Sequence, residues 1–194
     1  RPDHLSAYGY RKVRTPHLDD LAKDGVLFER AQVQAPLPSV SHASIFTSLY
    51  PPRQGVRAVT RSPTLSRKAV TLAEVLHDTG YSTAAIVASA PLAAGSGLEK
   101  GFDLYDFSNP GGRSAFFGMR QAIMAKLLSR LQILPEAQAF RRAPEQTDRA
   151  LAWLASQGEA PFFLWVHYFH AHDPYAPGWR AMKRDLHPGT SWLD

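Results

Sequence analysis

Gln34–Tyr50 reads QAPLPSVSHASIFTSLY. The residues before it, Val26 to Val33, alternate well enough to predict a strand. Pro36 and Pro38 then force a turn, and Ser39, Ser41 and His42 lead into a short apolar helix, Ala43 to Leu49. A strand that turns abruptly into a helix brings polar side chains and unpaired backbone N–H groups to one point. Those donors, with the helix dipole, favour an anion there. The plainer reading is a core helix capped by Ser39 or Ser41.

On the N-terminal side, Arg1 to Tyr10 is polar and loop-like. Thr15-Pro16 opens a helix, with the proline at its first position, Leu18, Leu21 and Ala22 on one face, and Gly25 as its stop. On the C-terminal side, Pro51-Pro52 ends the apolar helix. Thr71 and Glu74 form a capping box that starts another helix, with Leu72, Val75 and Leu76 expected to face inward and Gly80 to end it. Tyr81–Ala88 is a β-branched and apolar run, hence a buried strand. Gly101-Phe102-Asp103 leads to a turn around Asn109-Pro110-Gly111-Gly112.

Ser114–Leu134 predicts a longer amphipathic helix, its stripe made by Ile123, Leu127, Leu128, Leu131 and Leu134. Pro144 starts a helix that turns Ala150, Leu151 and Leu154 inward. Pro161 precedes Phe162–Phe169, FFLWVHYF, which is apolar on both faces as in a central parallel strand. Helices and strands alternate throughout. The expected fold is therefore α/β, layered, with a mixed and mainly parallel sheet flanked by helices. Ligands in such sheets bind beyond the C-terminal strand ends, which here means residues 34–42, 88–96 and 170–175.

The chain has 194 residues, enough for one domain with a core. Its net charge is +5, but the basic residues are scattered, and aromatic rings do not interleave with them. That pattern argues against nucleic acid and suits steering of a small anionic substrate. There is no cysteine, which excludes disulfides, thiolate nucleophiles and thiolate metal sites. No apolar run reaches the length of about 18 residues that a membrane span needs, so no membrane segment is expected in this stretch.

The second informative stretch is His167-Tyr168-Phe169-His170-Ala171-His172-Asp173-Pro174-Tyr175. In an extended chain His170 and His172 point the same way and could share a metal. The longer metal motif H-x-H-x-D-H is broken by Pro174 and Tyr175. His167 lies inside the predicted strand and reads as a core histidine. His172, past the strand end, is placed to meet substrate, and a serine at 39 or 41 with His172 as base is a further possibility. There is no G-x-S-x-G elbow, P-loop or G-x-G-x-x-G.

Five segments, in order, resemble the sulfatases of the alkaline phosphatase superfamily. They are Arg1–Tyr10 with Thr15–Ala22 and Gly25–Phe28; Ser41–Pro51, similar to the family's nucleophile helix; Thr71–Leu76 with Gly80–Ala84; Gly101-Phe102-Asp103; and Pro161–Tyr175, similar to the strand that ends in the family's substrate histidine. The resemblance implies an alkaline phosphatase-like fold. Residues 1–194 would be part of a single catalytic domain, cut at both ends.

It also implies hydrolysis of a sulfate ester at an activated side chain beside a divalent metal, calcium, held mainly by acidic residues. Most of those ligands would lie outside this chain, so none of its residues is assigned to metal, and the fragment alone would be inactive. The substrate would be a small sulfated or otherwise anionic molecule, and the setting exported or periplasmic. His172 would contact the sulfate or protonate the leaving oxygen, and His42 would stabilise the group at the turn.

The chain departs from the family pattern C/S-x-P-x-R. Pro38 stands at the nucleophile position, Val40 at the proline and His42 at the arginine. Ser39, one residue on, is the candidate nucleophile. Ser89-Ala90-Pro91-Leu92 replaces a family lysine after the second strand. Two other functions follow from these departures. One is a phosphatase, phosphonate hydrolase or phospho-head-group transferase of the same superfamily, working with an unmodified hydroxyl. The other is a non-catalytic binding protein.

Overall fold

The computed structural model describes residues 2–56, 64–107, 141–169 and 171. The predicted turn at Asn109–Gly112, the predicted helix Ser114–Leu134, His170 and His172 lie outside them. The chain forms two compact units, Arg1–Gln34 and Ala35–Asp194.

In the first unit, two short 3-10 turns, Pro2–His4 and Ser6–Tyr8, precede helix α1, Pro16–Asp24. Pro16 sits in its first turn and Gly25 closes it, as the sequence predicts. The Thr15 hydroxyl does not cap the helix. It joins a knot in which the Ser6 hydroxyl lies 2.7 Å from Thr15 Oγ1 and bonds both Asp19 carboxylate oxygens, at 2.8 and 2.7 Å. The strand expected from Val26 to Val33 does not form: these residues are irregular, with a turn at 29–30. A strand exists only where a neighbour takes up its backbone groups, and this unit otherwise consists of short helical segments. Val26 is consequently 80% exposed and Phe28 70%.

The second unit is built on three parallel strands: β1, Ser82–Ile86; β2, Leu104–Asp106; and β3, Phe162–Val166. Their order is β2-β1-β3, with Ala84 opposite Leu104 and Leu164. Among the described strands β1 is therefore the central one, and β3, read from sequence as central, lies at an edge. Burial agrees with this: Thr83 to Ile86 are all buried, whereas Phe162 is exposed. β2 was not foreseen. Three residues cannot show a period, and only pairing to β1 makes them a strand.

One face of the sheet presents Ala85, Tyr105, Phe163 and Trp165 to helix α2, Pro38–Thr47. Phe46 of α2 is the hub, with ring centroids 4.7 Å from Trp165, 5.9 Å from Phe102 and 6.4 Å from Phe163. Val40, Ala43, Val87, Leu92 and Leu98 complete this core. The opposite face carries helix α5, Ala143–Ala155, where Trp153 packs edge-on against Phe162. Of the three α5 residues expected inward, Ala150 is buried but Leu151 is exposed.

Between these elements, α3 is a single turn, Pro51–Gln54, so Pro51 begins a new helix where the sequence suggested only a stop. The capping box on helix α4, Leu72–Asp78, forms as predicted: the Glu74 amide donates to Thr71 Oγ1 at 3.1 Å, and the Thr71 amide to Glu74 Oε2 at 2.8 Å. However, Leu72 and Val75 are exposed, and only Ala73 of α4 is buried. Gly101 explains the close approach there. It has φ +81°, and a Cβ on it would collide with the backbone of Glu74.

Candidate active site at the first turn of α2

The helix in QAPLPSVSHASIFTSLY starts earlier than its residue types suggest. Leu37 is the N-cap, Pro38 occupies the first turn, and neither Ser39 nor Ser41 caps. Proline fits there because its missing N–H would have no partner in any case. The helix ends at Thr47, where Ser48 takes the left-handed conformation (φ 55°) and its amide bonds Ser44 O. Gln54 of α3 holds the helix from below. Its fully buried amide donates to Val40 O at 3.0 Å and Val56 O at 3.2 Å and accepts from the Ser44 hydroxyl at 3.2 Å.

Ser39 is 5% exposed, and its hydroxyl donates to Pro91 O at 3.1 Å. This bond ties the α2 turn to the loop after β1, within the segment Ser89–Leu92 that replaces the family lysine. His42 is half-buried one turn into the helix. Its Nδ1 lies 2.8 Å from Pro38 O. A carbonyl only accepts, so Nδ1 carries the proton and Nε2 holds the lone pair. Burial lowers the His42 pKa, against a smaller upward pull from the Pro38 bond.

The neighbour of His42 is His167, the first residue beyond β3. Their ring centroids are 5.6 Å apart at 72°, and Trp165 lies 5.4 Å from His42. Burial, reinforced by His42, pushes His167 down to about 4. Both rings are therefore neutral near pH 7. The His167 Nδ1 is buried and has no hydrogen-bond partner among the described residues. His167 reads from sequence as a core histidine because the apolar run continues through Phe169. The strand stops at Val166, which leaves His167 at the strand end where ligands bind in such sheets.

A buried polar network underlies this end of the sheet. Asp106, the last residue of β2, pairs with Arg141 through Nη2–Oδ1 at 2.8 Å and Nη1–Oδ2 at 3.2 Å, and Arg149 Nη1 donates to Oδ2 at 2.8 Å. Burial works to raise the Asp106 pKa, and the two guanidiniums overcome it, so the carboxyl lies below its usual range. Arg141 also donates to Gln146 Oε1 at 2.6 Å. These residues lie far apart in sequence, and no motif announces them.

The structure thus brings His42, His167 and the Ser39 turn to the C-terminal ends of β1 and β3. Among the described residues, no group of three or more His, Asp or Glu side chains could hold a metal ion. No described helix is long and apolar enough to cross a membrane.

The Sulfatase family model matches residues 1–188. Mouse steryl-sulfatase is 41% identical over 91 residues, which is 42% of this chain and 15% of that protein. The N-acetylgalactosamine-6-O-sulfatase of Bacteroides thetaiotaomicron is 32% identical over 124 residues, 62% of this chain and 24% of that protein. The chain therefore matches a quarter or less of the length of these curated relatives.

Among solved structures, a protein in complex with its substrate D-glucosamine-2-N,6-O-disulfate superposes with a TM-score of 0.67 at 19% identity, covering 98% of this chain and 37% of the other. The phosphonate monoester hydrolase of Agrobacterium radiobacter gives 0.59 at 23%, covering 91% and 40%. Both share the α/β fold.

Proposed function

We propose, for a chain that belongs to the sulfatase family, that the full-length protein hydrolyses sulfate esters at the first turn of α2. The observation that carries this reading is the meeting of His42, from the turn where the family keeps its nucleophile, with His167 at the exit of β3. That exit leads on to His172.

The chemistry open to the chain's own residues follows from their protonation. A neutral His42 with its lone pair on Nε2 can take the proton of an attacking oxygen. That oxygen bonds to sulfur, the bond from sulfur to the ester oxygen breaks, and His172 returns a proton to the leaving alcohol. With water as the attacking group, the products are the alcohol and hydrogen sulfate. Ser39 is the candidate nucleophile if its hydroxyl leaves Pro91 O. The family works with a divalent metal, which neutralises sulfate charge when bound. The described residues do not themselves form a site for it, and we assign calcium to acidic ligands supplied by the rest of the protein. The substrate class is a small sulfated molecule, and the setting is exported or periplasmic.

One observation favours a second reading. Pro38 occupies the family nucleophile position, and the adjacent Ser39 hydroxyl is buried and engaged. Both suit a protein that binds a sulfated ligand without cleaving it. Turnover of an aryl sulfate and an aryl phosphate by the full-length protein decides between these readings. Preferred sulfate turnover, lost in His42→Gln, supports the hydrolase, and Ser39→Ala shows whether serine or water attacks. Saturable binding of a sulfated sugar with no turnover of either ester supports the binding protein.

A further inference from the structure

Gln146 is fully buried in the first turn of α5, and all of its hydrogen-bonding groups point at the sheet end. Its Nε2 donates to Ile86 O at 3.0 Å and to His167 O at 2.9 Å, so one amide holds the last residue of β1 and the first residue beyond β3. The His167 amide itself donates to Ile86 O at 2.9 Å. Gln146 Oε1 accepts from Arg141 Nη1, and Arg141 is gripped by Asp106 at the end of β2. The C-terminal ends of β1 and β3 are thus joined by one side chain, and the end of β2 is tied to it through Arg141. Next to it, Thr147 Oγ1 lies 2.8 Å from the Tyr168 hydroxyl, a second tie from α5 to the β3 exit.

A network this deep has an obvious structural role, since each buried carbonyl needs its donor. Its position gives it a second one. β3 ends at Val166, one residue before the contact with His42; the His167 amide still bonds Ile86 O, and its carbonyl is taken by Gln146. Gln146 acts at that residue. Leu or Met would fill similar space against Ile86 without bonding the His167 carbonyl.

We infer that Gln146, oriented by Arg141 and Asp106, is a positioning residue that sets the backbone at His167 and so the edge-to-face placement of His167 against His42. This rests on the reading of the α2 turn as the active site. Gln146 touches no reacting atom in this scheme. It acts through the exit of β3.

The test uses the full-length protein labelled with 15N-histidine, with ring signals of His42 and His167 assigned from His42→Gln and His167→Gln. Gln146→Met keeps length and bulk and removes the amide. It is compared with Thr71→Ala, a change at the α4 cap remote from the strand ends. The expected result is that Gln146→Met shifts or broadens both ring signals and lowers kcat on an aryl sulfate tenfold or more, with KM changed less than threefold. Thr71→Ala should leave signals and kcat as in the parent.

If Gln146→Met does not fold, Gln146→Glu takes its place, because it keeps an acceptor for Arg141 while losing the two donated bonds and setting an oxygen against the Ile86 and His167 carbonyls; the same changes are expected. A folded Gln146 variant with unchanged ring signals overturns the inference, as does an equal loss of kcat in Thr71→Ala. If the parent has no turnover, the hydrolase reading fails, and the ring signals alone still decide the role of Gln146.

Discussion

His42 and His167 meet edge to face with ring centroids 5.6 Å apart, 125 residues apart in the chain, one from the first turns of α2 and one from just beyond β3. Each is shielded from water, and the charge of either would raise the cost of charging the other.

That arrangement has a pH signature. The folded-state pKa values of both rings are lowered, that of His167 to about 4, from an ordinary 6.5. Below pH 6.5 the unfolded chain therefore binds protons that the folded one refuses, and stability is lost as pH falls from about 6.5 towards about 4. Urea midpoints of the full-length protein at pH 7.5 and 5 should show a larger loss for the parent than for His167→Phe. Equal losses in both would mean that His167 titrates normally.

The aromatic core between α2 and the sheet depends on Phe46, which is buried against Trp165, Phe102 and Phe163. Phe46→Ala removes a whole ring and leaves a cavity under the site helix, at a cost of about 3–5 kcal/mol. Chemical denaturation of the full-length protein measures it, and a cost below about 1 kcal/mol would mean that the neighbours collapse into the space.

Asp106 is the nearer of two carboxylates beside a guanidinium with no exposed side-chain surface, at 2.8 Å against 3.9 Å for Glu145. Asp106→Ala leaves the Arg141 charge without that partner, and should destabilise by about 3–5 kcal/mol. Arg149→Ala, which removes the half-exposed partner of the same carboxylate, should cost only about 0–1 kcal/mol. Similar effects from the two variants would show that the buried pair is not the dominant one.

The α4 cap offers a smaller and more local effect. Thr71→Ala removes the acceptor for the Glu74 amide and the donor to Lys100 O, at 2.9 Å. The expected cost is about 1 kcal/mol, whereas Thr71→Ser should retain most of the stability. Thermal midpoints of the two variants distinguish hydroxyl bonding from the packing of the threonine methyl.

Much of this architecture is written in local chemistry. The Thr71/Glu74 capping box, Pro16 in the first turn of α1, the buried run that becomes β1 and the alternation of helix and strand each follow from a few neighbouring residues. Other local signals are overridden by tertiary pairing. Residues 26–34 have a strand's composition but no strand structure, because pairing is a property of two segments. None of the α4 residues expected inward is buried, and of those on α5 only Ala150 is, because periodicity shows that a stripe exists and not how much of it a neighbour covers.

The sequence by itself determined the layered α/β class, the turn before α2 as the place to look, and the anomaly of Pro38, since these depend on residue type and order. Only the tertiary structure decided that Ser39 is bound to Pro91 O, that β1 and not β3 is central among the described strands, and that His167 belongs beside His42 over the Gln146 network. Those facts arise from contacts between segments distant in the chain, where burial, a neighbouring ring and a buried amide set the protonation and placement of a side chain. No pattern of neighbouring residues encodes them.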